Sequence, residues 1–367
     1  MGLIYLSPLP WNSFAQRPHK FVEWFHGHTG RDVLWVDPYP TRFPKLSDLR
    51  RFGKNVDRQT RSYLPWLRVI RPLALPIEPL PGSGILNGFG WSRLFNEMTT
   101  FARCRETLVV FGKPSVLALE VLKRLPECRS LYDAMDDFSA FYSGFSRFSM
   151  RYREEQLGRR VATLMVSSTA LKKRWSGYRA DVRLVHNGLD LNILPPLREW
   201  GNRVNRNRVV LGYVGTIAAW FDWGWLIALA EARPNDEVRL IGPLFFPSPR
   251  PLPSNILILP PCEHEKALVA MRDFDVGLIP FKNNSLTESV DPIKYYEYRA
   301  LGLPVISTSF GEMAFREEAK GTFISHSPSD AEGLVQQALQ YQSTPEESVD
   351  FSIHNSWGAR FSSAQII

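Results

Sequence analysis

Short runs of apolar residues alternate along the chain with longer stretches that have the apolar spacing of helices. Ten of these runs have the length and composition of strands. In the first half they lie at 3–6, 32–36, 107–111, 129–132 and 161–167, and in the second half at 208–214, 237–242, 255–259, 274–280 and 304–307. Strands separated by helices form parallel sheets, so the pattern predicts an α/β protein that binds ligands beyond the carboxyl ends of its strands.

A polar stretch interrupted by Pro and Gly separates the two sets of predicted strands. It lies at 195–207 and is predicted to be a linker. We therefore expect an N-terminal domain over 1–194, a C-terminal domain over 208–350, and a terminal segment, 351–367, that can cross back to the first domain. A chain of 367 residues is long enough for two domains with a core each, and the cleft between them is the expected place for function.

One apolar stretch, 209–230, has Asp222 as its only charge and is long enough to resemble a membrane span. It divides into a β-branched run, a break at Gly215-Thr216 and a helical part rich in Trp, Leu and Ala. This is the pattern of a buried βα unit. The N-terminus lacks the basic and apolar regions of an export signal, and the three cysteines are too far apart for a metal or redox motif. These features predict a cytoplasmic protein.

The positive charge of the chain is concentrated in one segment, 42–71. The chain has 44 basic and 37 acidic residues, a net charge of +7. The segment alone carries +7, because Asp48 and Asp57 are its only acids and its basic residues are Arg42, Lys45, Arg50, Arg51, Lys54, Arg58, Arg61, Arg68 and Arg71. Interspersed aromatic and apolar residues suit attachment to an anionic membrane surface, at about 1 kcal/mol per nearby cation. The alternative is an ordinary solvated basic face.

The strongest local signal lies at 291–306. Asp291 is in the position of a helix N-cap, Pro292 in the first helical position and Gly302 at the C-terminal stop, followed by a predicted strand. Lys294 and Glu297 follow Asp291 at three-residue spacing, so the three share one face near the helix N-terminus. A carboxylate there can accept ribose hydroxyls, while the lysine and the helix dipole attract a diphosphate. The alternative is a Lys–Glu pair on a surface helix.

The run Pro-Ile-Lys-Tyr-Tyr-Glu-Tyr-Arg-Ala-Leu-Gly-Leu-Pro-Val within this segment resembles the donor-site helix of bacterial nucleotide-sugar glycosyltransferases with the GT-B fold. Further resemblances follow in the expected order at Trp11 to His19, Tyr132 to Phe141, Val185 to Asp190 and Gly212 to Thr216. The set is similar to the exopolysaccharide-assembly branch of the group-1-like transferases. The resemblance implies two Rossmann-like domains with parallel sheets facing a cleft, a nucleotide-sugar donor held mainly by the second domain, and an acceptor held mainly by the first.

The resemblance also implies donor-binding residues outside the helix. Gly215-Thr216 matches the donor-phosphate loop, although by itself it is a tight turn after a strand. Arg17 is placed to pair with a phosphate. Many retaining members carry a glutamate eight positions before the ribose-binding one, and that position is Ser289 here, with Glu288 one place before it. This departure favours inversion of configuration.

Three acids, Asp133, Asp136 and Asp137, follow a predicted strand and repel one another. We predict Asp136 as the general base for the acceptor hydroxyl, with Asp137 and His19 contacting the acceptor. The alternatives are a helix N-terminus that Asp133 or Asp136 caps while the other acids favour the helix dipole, and a structural histidine. A D-x-D metal site fits the spacing poorly, so we expect neither a metal nor a cofactor besides the nucleotide-sugar donor.

Together these observations predict a hexosyltransferase-type glycosyltransferase at the inner face of the cell membrane. It would move a sugar from a nucleotide diphosphate to a saccharide or lipid-linked saccharide in bacterial surface or exopolysaccharide synthesis. One alternative is a nucleotide-sugar epimerase of the same fold. Another is a non-catalytic basic binding protein, which the pI of about 9.3 would allow. No nucleic-acid motif accompanies the charge, so nucleic acid is not an expected partner.

Overall fold

The computed structural model describes residues 1–41, 64–78, 80–104, 106–197 and 208–367. The chain divides into two compact units, one of Met1–Val185 with Phe361–Ile367 and one of His186–Arg360. The first predicted domain extended to residue 194, whereas the first unit ends at Val185. The chain beyond that point belongs to the second unit because its backbone and side chains bind there, as Asn187 does at Asp291. Most of the predicted linker, 198–207, lies outside the described residues.

The first unit contains a parallel sheet of seven strands in the order β3-β2-β1-β4-β5-β6-β7. Every residue of its two central strands is buried, as expected for strands covered by helices on both faces. The strands are β1 (Gly2–Leu6), β2 (Val33–Val36), β3 (Leu67–Ile70), β4 (Thr107–Phe111), β5 (Arg129–Ala134), β6 (Thr163–Val166) and β7 (Val182–Leu184). The helices are α1 (Arg17–Thr29), α2 (Ser83–Gly90), α3 (Ser92–Arg103), α4 (Val116–Arg124), α5 (Gly144–Arg160) and α6 (Thr169–Ser176).

The second unit contains a parallel sheet of six strands in the order β10-β9-β8-β11-β12-β13. Apolar clusters cover both faces of this sheet. The strands are β8 (Val210–Val214), β9 (Glu237–Ile241), β10 (Ile256–Leu259), β11 (Val276–Ile279), β12 (Val305–Thr308) and β13 (Thr322–Ser325). The helices are α7 (Trp223–Ala232), α8 (His264–Met271), α9 (Ile293–Ala300), α10 (Ala331–Gln340) and α11 (Pro345–His354), and α12 (Trp357–Ser363) carries the chain back to the first unit.

Both sheets have the strand order of doubly wound nucleotide-binding folds. The direction of winding reverses between β1 and β4 in the first unit and between β8 and β11 in the second. In such sheets the carboxyl ends of the strands beside the reversal form the ligand crevice. The predicted α/β class with two Rossmann-like parallel sheets is therefore confirmed.

All ten predicted strands are present, and the three further strands in the described residues, which were not predicted, lie at sheet edges. These are β3, β7 and β13, which have one neighbour each. The segment 209–230 forms β8 and α7, so the prediction of a buried βα unit is confirmed. None of the helices in the described part of the chain is long and apolar enough to cross a membrane.

Most of the basic segment, 42–63, lies outside the described residues. Its remaining cations, Arg68 and Arg71, are paired with acids of the first unit. Arg68 lies 2.9 Å from Glu97, and Arg71 lies 3.0 Å from Asp37. Both arginines are well exposed, so these pairs contribute little to stability.

Candidate active site

Helix α9 begins at Ile293, with Pro292 as its N-cap and no side chain in the capping role. The helix ends as predicted, because Gly302 has a left-handed φ of 71° directly after the last turn. The prediction that Asp291 caps the helix is wrong. Its buried carboxylate instead accepts hydrogen bonds from the Asn187 N–H at 2.6 Å and from the Arg316 guanidinium at 2.7 Å.

The Asp291 carboxylate is thus a structural centre of the second unit. Tyr296 also donates to it, at 2.9 Å, and the Arg316 guanidinium lies 4.0 Å above the ring of Tyr295. Because Asn187 belongs to the segment 185–190, Asp291 fixes that segment against the start of α9. Sequence spacing placed Asp291 on the face of Lys294, whereas tertiary contacts turn it into the interior.

Glu297 lies at the centre of a three-residue charged group. Lys294 Nζ is 2.7 Å from Glu297 Oε2, and His264 Nε2 is 2.5 Å from Glu297 Oε1. Burial by itself would raise the pKa of Glu297, but Lys294 and His264 outweigh burial and leave that pKa below its ordinary value. The Glu297 carboxylate is therefore ionised at neutral pH. The side chains of Lys294 and His264 are each 23% exposed, so a ligand can reach both.

His264 was not found by sequence reasoning. It is the first residue of α8 and lies 33 positions before Glu297. The only signal was a polar residue that starts a helix after a predicted strand, and this signal does not indicate a partner.

The loop after β8 is shaped by two glycines. The Gly215 N–H donates to the Ile241 carbonyl at 2.9 Å, so this amide is not free for a phosphate. A Cβ on Gly242, whose φ is 148°, would lie 2.1 Å from the Gly215 carbonyl oxygen, so the two backbones are in close contact. The N–H and hydroxyl of Thr216 make no hydrogen bond to any residue that the structure describes. Within this loop Thr216 therefore offers the donors for an anion.

The helix predicted to begin directly after Gly215-Thr216 begins later. Asp222 caps α7 by accepting from the Trp225 N–H at 3.0 Å, and the helix starts at Trp223. An irregular stretch separates this helix start from the Gly215-Thr216 turn, so the turn itself lies on a loop.

Ser289 is buried, whereas its neighbour Glu288 is exposed. Both belong to a turn after β11 whose backbone packs closely on Gly311. A Cβ on Gly311 would lie 2.4 Å from the Val290 carbonyl oxygen, and the Glu312 N–H donates to that same oxygen at 3.0 Å. The position eight residues before Glu297 is therefore held against the chain that follows β12.

In the first unit, Arg17 and Asp133 form a fully buried ion pair. Arg17 Nη2 is 2.9 Å from Asp133 Oδ1, and Arg17 Nη1 donates to the Val185 carbonyl at 2.8 Å. Tyr5 makes a longer contact with Asp133, at 3.4 Å. Only 2% of Arg17 is exposed, so its predicted contact with a donor phosphate is not supported, and the side chain stabilises the end of β5.

Asp136 differs from the two acids beside it because its carboxylate makes no hydrogen bond or ion pair with any described residue. Burial raises the pKa of Asp136 to about 7, with Arg17 opposing the rise and Asp133 and Asp137 adding to it. A carboxylate with a pKa near neutrality and no partner among the described residues can take up a proton at physiological pH. This is the property expected of the predicted general base.

Asp137 caps the turn after β5, whereas the alternative reading gave the capping role to Asp133 or Asp136. It accepts from the Ser139 N–H at 3.0 Å and lies 3.1 Å from Arg174. Arg174 also contacts the buried Glu154 at 2.6 Å, and Tyr132 donates to Glu154 at 3.0 Å. Asp137 is thus one end of a polar network within the first unit.

His19 is completely buried, and both of its ring nitrogens have partners. Nδ1 accepts from the Gln16 N–H at 3.2 Å, so Nε2 carries the proton and donates to the Trp11 carbonyl at 3.2 Å. The ring also packs against Trp35, with centroids 4.9 Å apart. The predicted contact of His19 with an acceptor is therefore not supported, and the residue fixes the Trp11–His19 loop.

The structure thus joins Lys294 to Glu297 and adds His264 to them, while Gly215-Thr216 and Ser289 lie on separate loops of the same unit. In the first unit it leaves Asp136 available and commits Arg17 and His19 to internal contacts. In the described parts of the chain, no group of three or more His, Cys, Asp or Glu side chains is placed to hold a metal ion.

Comparison with known proteins gives the family context of this site. No family model matches the chain. The chain is 25% identical over 199 residues to a Bacillus subtilis (strain 168) protein named "Putative teichuronic acid biosynthesis glycosyltransferase TuaH". That match covers 49% of this chain and 50% of the relative, so the chain spans about half the length of the relative it matches.

Solved structures match the fold over essentially the whole chain. Sucrose-phosphate synthase from Thermosynechococcus elongatus has a TM-score of 0.70 at 13% identity, covering 100% of this chain and 98% of its own. HepE from Anabaena, solved with UDP and glucose, has a TM-score of 0.64 at 13% identity, covering 99% and 98%. By its architecture the chain has the GT-B fold of nucleotide-sugar glycosyltransferases, as its motifs predicted.

Proposed function

We propose that the chain is a glycosyltransferase that moves a sugar from a nucleotide diphosphate sugar to a saccharide or lipid-linked saccharide acceptor. The observation that carries this proposal is the charged group at the start of α9. It holds an ionised, buried carboxylate between the partly exposed side chains of Lys294 and His264. The match to HepE, which was solved with UDP and glucose, supports a nucleotide-sugar donor.

The donor would be bound by charge and hydrogen bonding in the second unit. Glu297 is 3% exposed, and Lys294 and His264 bind its two oxygens. In this proposal the donor displaces one of these partners, and Glu297 then accepts the ribose hydroxyls and contributes to affinity more than to chemistry. Lys294 and the N-terminus of α9 attract the diphosphate, and the Thr216 N–H and hydroxyl donate to a phosphate oxygen. These groups also stabilise the negative charge that the diphosphate gains as the glycosidic bond to the donor breaks.

The acceptor would be activated by Asp136 of the first unit. Its carboxylate takes the proton of the acceptor hydroxyl as the oxygen attacks the anomeric carbon. Attack from the face opposite the diphosphate inverts the anomeric configuration, and the buried Ser289 in place of a glutamate agrees with this course. The reaction as proposed uses no metal and no cofactor besides the donor.

The biological setting is proposed from the relative and the charge of the chain. The relative is named for teichuronic acid biosynthesis, which supports an acceptor in bacterial surface polysaccharide synthesis. The basic segment 42–71 supports attachment to the anionic inner face of the cell membrane. Domain roles follow the same division, with the acceptor bound by the first unit and the donor by the second.

The direct test is a panel of nucleotide sugars, screened first by thermal stabilisation. A donor at 100 times its dissociation constant adds about 2.7 kcal/mol to the free energy of unfolding. The stabilising donor is then assayed for release of nucleoside diphosphate with and without a lipid-linked saccharide, in the presence and absence of EDTA. We expect acceptor-dependent release that EDTA does not change. Conversion of the donor to its epimer without an acceptor, or no stabilisation by any donor, would contradict the proposal.

A further inference from the structure

Helix α2 in the first unit exposes its large apolar residues to solvent and buries its polar ones. Its apolar residues Ile85, Leu86 and Phe89 are 73%, 58% and 79% exposed. Its polar residues Ser83 and Asn87 are buried. A helix on the surface of a water-soluble protein normally presents the opposite arrangement.

The inward orientation of the polar residues is fixed by hydrogen bonds. The Asn87 side-chain oxygen accepts from the Leu75 N–H at 2.8 Å, and its amide group donates to the Leu75 carbonyl at 3.3 Å. The Ser83 hydroxyl donates to the Glu78 carbonyl at 3.0 Å. Rotating α2 to bury its apolar face would break these bonds. The exposure of Ile85, Leu86 and Phe89 is therefore built into the fold.

The first turns of α5 also expose large apolar side chains. Phe145, Phe148 and Tyr152 lie on one face of the helix and are 50%, 69% and 57% exposed. The buried face of α5 combines the polar residues Ser149, Arg153 and Glu154 with the apolar residues Met150 and Leu157. Two helices of one unit thus carry exposed apolar side chains.

Both helices bind the same buried residue of the first unit, Glu78. Arg153 of α5 donates to the Glu78 carbonyl, and its Nε lies 3.7 Å from the Glu78 carboxylate. The Ser83 hydroxyl at the start of α2 donates to the same Glu78 carbonyl. We call the exposed apolar side chains of α2 and of the first half of α5 the inverted surface.

The charged residues near the inverted surface indicate which kind of partner it binds. Glu78 is the only charged residue among those described between 72 and 92, and it is fully buried. Between 138 and 152 the only charged residues are Arg147 and Arg151, both exposed. Arg147 makes no ion pair with any described residue. Arg151 lies 3.2 Å from the partly exposed Glu155, one turn further along α5. Within the two stretches 72–92 and 138–152, the exposed residues include cations and no acid, which suits a face that lies in an anionic lipid interface.

Thr41, the last described residue before the basic segment, lies close to the start of α5. The Thr41 hydroxyl is 3.0 Å from the hydroxyl of Tyr142, two residues before α5 begins. The chain leaves the described part directly after Thr41, and seven of the nine basic residues of 42–71 follow within 42–63. Their attachment point is thus close to the start of α5.

We propose that the inverted surface inserts its apolar side chains into the interfacial layer of an anionic lipid bilayer. This anchoring stands independently of the glycosyl transfer proposed above. It also differs from attachment through charge alone, because the burial of Ile85, Phe89, Phe145 and Phe148 in lipid is not weakened by salt.

The test is sedimentation of the full chain with vesicles of phosphatidylglycerol and phosphatidylcholine, at 0.1 M and about 1 M salt, where the screening length falls to about 3 Å. We expect binding that weakens at high salt but persists. In the double variants Ile85→Ser with Phe89→Ser, and Phe145→Ser with Phe148→Ser, the salt-resistant binding should fall at least about tenfold. The matched control is Val349→Ser with Ile353→Ser, two half-exposed apolar residues of α11 in the second unit, and it should bind as the wild type does.

Loss of all wild-type binding at high salt, or equal binding by the variants and the wild type, would overturn the proposal. So would a wild-type dimer that the Ile85→Ser and Phe89→Ser variant dissociates without any change in vesicle binding, because the surface would then contact protein. Donor affinity, measured by calorimetry, should be unchanged in all variants, which separates this proposal from the proposed activity.

A second readout does not depend on the folding of the serine variants. Phe89→Cys, in a chain whose three cysteines are replaced by serine, is labelled with an environment-sensitive nitrobenzoxadiazole dye. We expect its emission to shift to the blue and increase on anionic vesicles at high salt. The same label at Ile353→Cys should not respond, and a silent label at position 89 would overturn the proposal.

Discussion

Arg17 Nε lies 3.0 and 3.1 Å from the two carboxylate oxygens of Asp133, in a pair that is almost completely buried. With Asp133 bound to Arg17, the three acids at the end of β5 have different roles. Asp133 balances the charge of Arg17, and Asp137 caps a turn and contacts Arg174. Asp136 is left with a raised pKa and without a partner among the described residues. Of the three acids, only Asp136, the proposed base, has a carboxylate that makes no ion pair or hydrogen bond with a described residue.

Replacing Asp136 by Asn should reduce sugar transfer about a hundred- to ten-thousandfold, because the amide cannot take the proton of the acceptor hydroxyl. Donor affinity should not change. Turnover and calorimetric donor binding are measured together. Asp137→Asn is the matched control, since it removes a carboxylate at the next position that is already engaged by Ser139 and Arg174. We expect it to lower stability and to reduce turnover much less. Wild-type turnover in Asp136→Asn would contradict the assignment.

The pH dependence of turnover should report Asp136 as well. The base must be ionised, and the pKa of Asp136 is raised to about 7, so the rate should rise through pH 7 and level off above it. A pH–rate profile with saturating donor measures this step. The step should be absent from any residual activity of Asp136→Asn. A rate that is constant between pH 6 and pH 8 would count against a base with this pKa.

The same raised pKa has a consequence for stability. Between the unfolded pKa of about 3.9 and the folded pKa of about 7, the folded state binds more protons, so the contribution of Asp136 to the free energy of unfolding falls as pH rises. At pH 8 the ionised carboxylate is therefore destabilising. Asp136→Asn should raise Tm at pH 8 and have little effect at pH 4. Thermal unfolding at the two pH values decides the matter, and a lower Tm in the variant at pH 8 would indicate a capping role.

Replacing Glu297 by Gln should weaken donor binding by about 1 to 3 kcal/mol, because the ionised acceptor of the ribose hydroxyls is lost. The loss of charge also leaves Lys294 and His264 without their shared partner. Calorimetry with the stabilising donor measures the effect. Glu347→Gln is the matched control, since Glu347 lies 2.7 Å from Arg299 in the same unit and is not a predicted donor residue. Equal donor affinity in the two variants would argue that Glu297 is purely structural.

Replacing Arg17 by Met should destabilise the protein by about 3 to 5 kcal/mol, because it leaves the buried charge of Asp133 unpaired. The double change Arg17→Met with Asp133→Leu should recover most of that loss, since both buried charges are removed together. Urea unfolding of the single and double variants measures the coupling. Unchanged donor affinity in the double variant would confirm that Arg17 does not bind the donor, whereas a large loss of affinity would restore the sequence-based prediction.

Replacing Gly242 by Ala should weaken donor binding through the Gly215-Thr216 loop. The new Cβ would lie 2.1 Å from the Gly215 carbonyl oxygen, so the loop must move and carry the Thr216 donors with it. We expect lower donor affinity and lower Tm. Gly333→Ala in α10 is the control, because a Cβ there meets no atom within 4 Å and should stabilise the helix by about 0.5 to 1 kcal/mol. Wild-type donor affinity in Gly242→Ala would remove the loop from the site.

The strands that could be predicted are those in the sheet interiors and the edge strand β10, whose residues are all apolar. Buried parallel strands are continuous apolar runs, and this pattern identified strands such as β1 and β4 directly. The edge strands β3 and β7 contain Arg68 and Arg183, because one side of an edge strand faces no neighbour and tolerates a charge. Such strands lack the apolar run that marks interior ones, so the sequence pattern did not reveal them.

The spacing of residues in the sequence was sufficient to predict contacts within one helical turn. It was not sufficient to predict contacts with residues from other parts of the chain. Lys294 and Glu297 are three residues apart, and the structure brings them to 2.7 Å, as helix geometry requires. His264 joins the same carboxylate from another helix, and Asp291 leaves the expected face to bind Asn187 and Arg316. Neither contact is encoded in a spacing, because both depend on which helices the sheet places side by side.

The sequence by itself determined the two α/β units, the end of α9 at Gly302 and the pairing of Lys294 with Glu297, since each follows from local periodicity or backbone preference. Only the tertiary structure decided whether each isolated polar residue contacts other residues of the protein or is available to a ligand. Arg17 and His19 became buried structural contacts, while Asp136 kept a carboxylate without a described partner. A polar side chain is assigned to the interior or to a ligand by the groups that surround it, and those groups come from distant parts of the chain.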